Sequence, residues 1–246
     1  MKNSVVIIGY GVVGHNLAEE IGKVQPEVYD KYKEVDTRTK EKYDIGFICV
    51  DTPLVDGIVD ITEVRNAVND NDCDIYVLKS TVPVGTVDQL KEETGKHIIF
   101  SPEYYGGTQH CNNFTFDFTI LGGAKEDCIK VQQLLQYCYD GRHVFRIVEP
   151  KIAELCKFME NSFLATKVFF CIQFYDMCEE LGVSYEELRE CFILDKRLGE
   201  SHTFVYKDTP YFNSHCLNKD VPSIANQFNN KFLKFIVEEN EKNKQK

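Results

Sequence analysis

The sequence predicts an α/β fold: a largely parallel sheet in the first half, then an α-helical half built on one long helix. Three observations predict it. Short β-branched runs alternate with helical patterns as far as Ile147. A glycine-rich turn, Gly9-Tyr10-Gly11-Val12-Val13-Gly14, stands near the start. From Lys151 to Leu181 there is neither proline nor glycine, and apolar residues recur at helical spacing.

The first strand is the β-branched run from Ser4 to Ile8, followed by the glycine turn and a helical pattern through Leu17, Ala18 and Ile21. Strand, Gly-x-Gly-x-x-Gly and helix is the context of a Rossmann phosphate turn. Gly9 permits the tight turn, Gly11 lets backbone approach a pyrophosphate, and Gly14 lets helix and strand pack closely. The helix N-terminus then offers unpaired N–H groups to the anion. A second strand ends at Val28-Tyr29-Asp30. Asp30 follows Gly9 by about twenty residues, where a carboxylate binds a ribose 2′-hydroxyl. It repels a 2′-phosphate, so NAD is expected over NADP, although Lys31 and Lys33 stand close by. The alternative readings are a glycine turn without a ligand and a solvated carboxylate.

Further strands are expected over 45–50, 75–78, 98–100, 118–121 and 144–147, with helices over 61–68 and 125–139. Several strands run into short polar loops: Asp51-Thr52-Pro53, the segment Lys79-Ser80-Thr81 to Thr86, and Ser101-Pro102-Glu103. Ligands of open α/β sheets bind at the carboxyl ends of strands. The boundary between a first domain (1–149) and a second (150–246) is expected near Glu149-Pro150.

The long helix carries Ile152, Leu155, Met159 and Phe163 at helical spacing and would run about 45 Å. So many aromatic residues on one helix (Phe158, Phe163, Phe169, Phe170, Phe174, Tyr175) exceed what a chain of 246 residues buries, so a homodimer is expected. Gly182 is placed to end the helix, and Ser184-Tyr185-Glu186-Glu187 has the form of a capping box for the next.

Composition sets the class. An apolar fraction of 43% and a charged fraction of 27% are those of a globular protein. A net charge of −11 argues against nucleic acid or an anionic membrane as main partner. The apolar run Val5 to Ile8 is too short for a signal peptide, and no run approaches the roughly 18 residues of a membrane helix. Ten cysteines are scattered without a CxxC pair, which points to free thiols in a reducing cytoplasm rather than disulfides or a metal site. The tail from Glu238 has no apolar residue and is expected to fray.

Candidate chemistry lies in two places. Lys157 and Asn161 are one helical turn apart on one face, where an ammonium and an amide can hold a hydroxyl as it loses a proton and a hydride. Spacing alone also allows a surface lysine and an ordinary polar residue. The stretch Ser214-His215-Cys216-Leu217-Asn218-Lys219-Asp220 places a thiol, a cation and a carboxylate within five positions.

Taken together the motifs resemble one family. The glycine turn, Cys49-Val50-Asp51-Thr52-Pro53, the Lys79 to Thr86 segment, Ser101-Pro102-Glu103, Glu154 to Asn161, Leu194 to Gly199 and Cys216 to Asp220 stand in the order of the UDP-glucose/GDP-mannose (nucleotide-sugar 6-) dehydrogenases. The resemblance covers most of the chain. It implies NAD-dependent oxidation of a sugar or nucleotide-sugar C6 alcohol to the acid, in two steps through a cysteine thiohemiacetal and thioester. It implies Cys216 as nucleophile, its thiolate favoured by Lys219. Lys157 and Asn161 would stabilise oxyanions, Asp220 and Thr81 would place the water, and Glu103 would be the base. The cofactor contacts implied are Gly9, Gly11, Val12, Val13, Gly14, Asp30, Val50, Thr52, Pro53, Ser80 and Thr81. The substrate contacts implied are Glu103, Tyr104, Lys157, Asn161, Tyr211 and Arg197, the last reaching the neighbouring subunit's substrate.

The chain departs from the family at several points. The family's glycine-rich loop before the nucleophile reads here Thr209-Pro210-Tyr211-Phe212-Asn213-Ser214-His215, without glycine. The segment between Asp30 and Ile45 is shorter. Ile172-Gln173 replaces an Asn-Glu pair. The family's third domain, which grips the nucleotide, is expected to be absent. Two other readings therefore stand: an NAD-binding protein without nucleotide-sugar turnover, and a 3-hydroxyacid-type dehydrogenase, whose one-step oxidation needs no thiol.

Overall fold

The computed structural model describes residues 3–105 and 116–245; Cys111 and Lys246 lie outside the described residues. Strand β1 (Val5–Ile8) leads through the glycine turn into α1 (Val12–Glu20). Then come β2 (Glu27–Asp30), β3 (Val35–Asp36), β4 (Lys42–Ile48), the short β5 (Leu54–Val55) and β6 (Ile58–Val59), and α2 (Thr62–Asp70). The order continues with β7 (Asp72–Leu78), α3 (Thr86–Thr94), β8 (Ile98–Phe100), β9 (Phe118–Gly122), α4 (Lys125–Cys138) and β10 (Val144–Val148). The helices α5 (Pro150–Leu181), α6 (Tyr185–Phe192), α7 (His215–Gln227) and α8 (Lys231–Lys244) complete the described chain.

The described residues fall into two compact units. The first comprises 3–55, 59–105 and 116–157; the second comprises 56–58 and 158–245. Helix α5 contributes its first residues to one and the rest to the other.

In the first unit eight strands form one sheet in the order β10-β9-β8-β7-β4-β1-β2-β3. Pairing is parallel from β2 through β8 and between β9 and β10, and antiparallel for β2 with β3 and for β8 with β9. Side chains alternate between two buried faces. Val5, Ile7, Phe47 and Val77 pack with Leu17, Ile21, Val131 and Leu135 of α1 and α4. Val6, Ile8, Tyr76 and Leu78 pack with Val64, Val68, Val87 and Leu90 of α2 and α3. A sheet covered on both faces requires the near-continuous apolar strands that the sequence shows. Strand order reverses at β1, between β2 and β4, and that switch point is where such sheets bind ligands.

In the second unit α5, α7 and α8 enclose Ala165, Phe212, Leu217, Val221 and Ile236. Helix α5 ends as expected: Gly182 has φ +68°, its N–H donates to Glu179 O, and the Val183 N–H donates to Cys178 O. Ser184 caps α6, its hydroxyl accepting the Glu187 N–H at 3.2 Å.

Two elements were not named in advance, and one expectation changes. Helix α3 (Thr86–Thr94) follows the Lys79 to Thr86 loop. The stretch 215–227 is helical with Pro222 in its interior. The tail does not fray at Glu238: α8 runs to Lys244, and Asn240 is 1% exposed. An apolar-only criterion misses it, because its buried residue there is an amide. No described cysteine is joined in a disulfide; burial pushes the thiols of Cys49 and Cys73 up to about 12. Among the described residues no helix is long and apolar enough to cross a membrane, and no His/Cys/Asp/Glu cluster could hold a metal.

Candidate active site

The glycine turn has the geometry a dinucleotide needs. Gly9 has φ +92°, and a side chain there would meet the Cys49 backbone at 2.6 Å. A Cβ on Gly14 would stand 2.0 Å from Gly9 O, so only glycine allows helix and strand this close. A Cβ on Gly11 would meet nothing within 4 Å, so its absence leaves open space at the N-terminus of α1. No side chain caps that terminus, and an uncapped helix N-terminus suits an anion. Val13 packs against the core beneath, while Val12 is exposed.

A groove of about 240 Å³ runs along the switch point, lined by Gly9, Gly11, Tyr29, Asp30, Val50 and Asn71 among others. Asp30 is fixed by backbone donors: Tyr10 N at 2.7 Å on one oxygen, Tyr32 N at 2.9 Å and Lys33 N at 3.1 Å on the other. The two nearby lysines are occupied. Lys31 pairs with Glu63 at 2.8 Å, and that bond raises its pKa, while Lys33 Nζ donates to Tyr10 O at 2.8 Å. Asp51, Glu63 and Asp70 also line the groove, so an added phosphate would meet acid there. These residues fit a dinucleotide that ends in an unphosphorylated ribose.

The strand-end loops supply a second group in the same unit. Thr52 and Thr81 are buried and Pro53 is exposed. Ser80 Oγ donates to Val50 O at 2.6 Å, tying the ends of β7 and β4 together. Lys157 is buried; its Nζ donates to Glu103 O at 2.7 Å, lies 3.5 Å from Glu103 Oε1, and stands 5.2 Å from the Tyr104 ring centre. Glu103 Oε2 accepts the Tyr105 N–H at 2.8 Å.

Two residues of this group lie in quoted motifs but carry roles the sequence reading did not assign. Lys79 is buried and donates to Ser101 Oγ and Pro102 O, each at 3.3 Å. Burial lowers its pKa. It holds the segment that presents Glu103, and the signal available was a lysine directly after the apolar run Ile75 to Leu78. Glu154 is fully buried, and its two oxygens accept the Gly85 N–H at 2.6 Å and the Val87 N–H at 2.9 Å. It thereby anchors the start of α5, one turn before Lys157, to the N-terminus of α3.

In the second unit Asn161 of α5 donates through Nδ2 to Asp220 Oδ2 of α7 at 2.6 Å, and both side chains are buried. Lys219 Nζ lies 3.5 Å from the other oxygen of Asp220. Cys216 is half-buried in the first turn of α7, whose cap Ser214 Oγ accepts the Leu217 N–H at 3.1 Å. Cys216 and Asp220 stand one turn apart on that helix.

Arg197 and Tyr211 are the remaining expected substrate residues. Arg197 is exposed and forked onto Asp195, with Nη2 to Oδ2 at 2.6 Å. Tyr211 is half-buried before α7, and its N–H donates to Thr209 O at 2.7 Å.

Comparisons with known proteins bear on the family and the fold. The model of the UDP-glucose/GDP-mannose dehydrogenase family, NAD binding domain, matches residues 24–140, and that of the family's central domain matches residues 151–244. UDP-glucose 6-dehydrogenase of Rickettsia prowazekii is 26% identical over 229 residues, covering 85% of this chain and 52% of that protein. UDP-N-acetyl-D-mannosamine dehydrogenase of Pyrococcus horikoshii is 24% identical, covering 86% of this chain and 57% of that protein. The chain thus spans about half the length of these relatives. Among solved structures, a UDP-glucose dehydrogenase from Pyrobaculum islandicum shares the fold with a TM-score of 0.79 at 22% identity, over 96% of this chain and 68% of that one. A 3-hydroxyisobutyrate dehydrogenase of Mycobacterium tuberculosis shares it with a TM-score of 0.71 at 14% identity, over 98% and 94%. With the family's NAD binding domain matching residues 24–140 and its central domain matching residues 151–244, the chain belongs to the UDP-glucose/GDP-mannose dehydrogenase family, and its dinucleotide is NAD.

Proposed function

We propose that this chain oxidises the C6 alcohol of a sugar or nucleotide sugar to the carboxylate in two steps. The observation that carries the reading is the buried Asn161–Asp220 pair, set one turn from Cys216 in α7. Bound NAD supplies the hydride acceptor, one molecule for each oxidation. In the first step the alcohol gives up its proton and a hydride and becomes the aldehyde. The Cys216 thiolate then adds to the aldehyde carbon, forming a C–S bond and a thiohemiacetal. Loss of the second hydride leaves a thioester. Water attacks that carbonyl, the C–S bond breaks, and the acid leaves with Cys216 as thiolate again.

The roles proposed for the side chains follow from their chemistry. Lys157 carries three donors, of which Glu103 O accepts one, and it balances negative charge on the reacting oxygen with Asn161. Glu103 acts as base for the water, which Asp220 and Thr81 orient. Tyr104, Tyr211 and Arg197 contact substrate, Arg197 that of a neighbouring subunit. The apolar stripe of α5, with Met159 at 74% and Phe163 at 65% exposure, is the homodimer surface in this reading. Free thiols throughout the described chain fit a reducing compartment, the cytoplasm, as the place of action.

A second reading, NAD binding without nucleotide-sugar turnover, draws on the glycine-free segment before α7, which Phe212 fixes into the core. Measuring NADH formation across a panel of nucleotide sugars and free sugar phosphates separates the two. Acid and NADH from any member support the dehydrogenase; NAD binding with no product from all of them supports the binder. A 3-hydroxyacid dehydrogenase would oxidise its substrate once, with Cys216→Ser as active as the natural chain.

A further inference from the structure

Asn240 occupies an apolar position. Leu233, Ile236, Val237 and Asn240 share one face of α8, and the first three pack with Phe212 and Val221. Asn240 is 1% exposed. Its amide is spent on one residue: the Phe212 N–H donates to Asn240 Oδ1 at 2.8 Å, and Asn240 Nδ2 donates to Phe212 O at 3.1 Å. The side chain thus satisfies both backbone groups of Phe212, as a neighbouring strand would. The Phe212 ring is 4% exposed and sits in the same cluster.

The bonded residue stands just ahead of the cap. Ser214 caps α7 in extended backbone (φ −98°, ψ 152°), and Cys216 follows in the first turn. Where the chain enters the helix decides whether the Ser214 hydroxyl can reach the Leu217 N–H. Phe212 fixes that entry, and Asn240 fixes Phe212.

We propose that Asn240 is a positioning residue for Cys216: through the Phe212 backbone it holds the turn that sets the thiol at the start of α7. The inference rests on the reading of Cys216 as nucleophile. Only an asparagine-sized amide serves both bonds. Aspartate would accept from Phe212 N–H but leave Phe212 O without a donor, and leucine would leave both groups unsatisfied.

The test compares Asn240→Leu and the milder Asn240→Ser with Ile236→Val, which thins the same core and keeps the amide. Two readouts need no turnover: hydrogen exchange of peptides covering 209–217, and the rate of Cys216 alkylation by iodoacetamide against pH, followed by mass spectrometry. Both Asn240 variants are expected to exchange about tenfold faster there and to alkylate with a changed pH profile, while Ile236→Val matches the natural chain. In turnover, kcat for acid should fall about tenfold with the KM for NAD unchanged, and aldehyde should escape. If folded Asn240→Ser, or Asn240→Leu where it folds, matches Ile236→Val in exchange and alkylation, the proposal is overturned. If the natural chain makes no acid, the nucleophile reading fails, while exchange and alkylation still decide whether Asn240 holds the turn.

Discussion

Asn161 Nδ2 lies 2.6 Å from Asp220 Oδ2, and this bond ties the middle of α5 to the turn of α7 after Cys216. The carboxylate is 1% exposed, so it depends on its donors. Asn161→Ala should destabilise the second unit by about 2 kcal/mol, because a buried acceptor loses its partner. Acid formation should fall in the same variant. Chemical denaturation with an unchanged midpoint would contradict the pairing.

Asp30 should decide cofactor choice. NADP is expected to bind at least several-fold more weakly than NAD, since its phosphate meets Asp30, Asp51, Glu63 and Asp70. Asp30→Ala should narrow the gap but also release the Tyr10, Tyr32 and Lys33 N–H groups, so NAD affinity should drop too. Calorimetry giving the natural chain equal affinity for both would refute the assignment.

Cys216→Ser should bind NAD unchanged and form no net acid, either stalling after the first oxidation or trapping an ester. Lys157→Ala should suppress both oxidations by about 3–4 kcal/mol of transition-state stabilisation. Turnover to acid by Cys216→Ser at the natural rate would remove the nucleophile.

Glu154 should make stability depend on pH. Burial raises its folded pKa above the ordinary value of 4.5, partly offset by the N–H groups of Gly85 and Val87. In that window the folded chain holds more protons than the unfolded one, so this contribution falls as pH rises from about 4.5 through the folded pKa. Glu154→Gln should abolish that component and lose about 1–2 kcal/mol near neutrality, because a Gln amide cannot accept both N–H groups. Urea midpoints measured across pH would show it; parallel curves for the two proteins would exclude it.

Met159→Glu combined with Phe163→Glu should convert a dimer into a soluble monomer with little loss of fold, since both side chains are exposed in the single chain. Light scattering at micromolar concentration reads this directly. A monomeric natural chain would end the dimer proposal and the role proposed for Arg197.

Local order was legible in the sequence. The three glycines at 9, 11 and 14, the parallel strands, the long helix and its Schellman end at Gly182 all follow from neighbours within about one turn or one strand. Lys157, Asn161, Cys216 and Asp220 stand out as candidates because they lie in short motifs. What the motifs do not carry is partnership. Asn161 and Asp220 are 59 residues apart, Phe212 and Asn240 are 28 apart, and Gly85 and Glu154 are 69 apart. Lys79 reads only as the first residue of a strand-end loop until the sheet buries it against Ser101 and Pro102. Asn240 reads as part of a polar tail until α8 packs its face on Phe212. Periodicity reports which face of an element is apolar, but a buried polar group is decided by a distant donor or acceptor, and only the tertiary structure brings the two together.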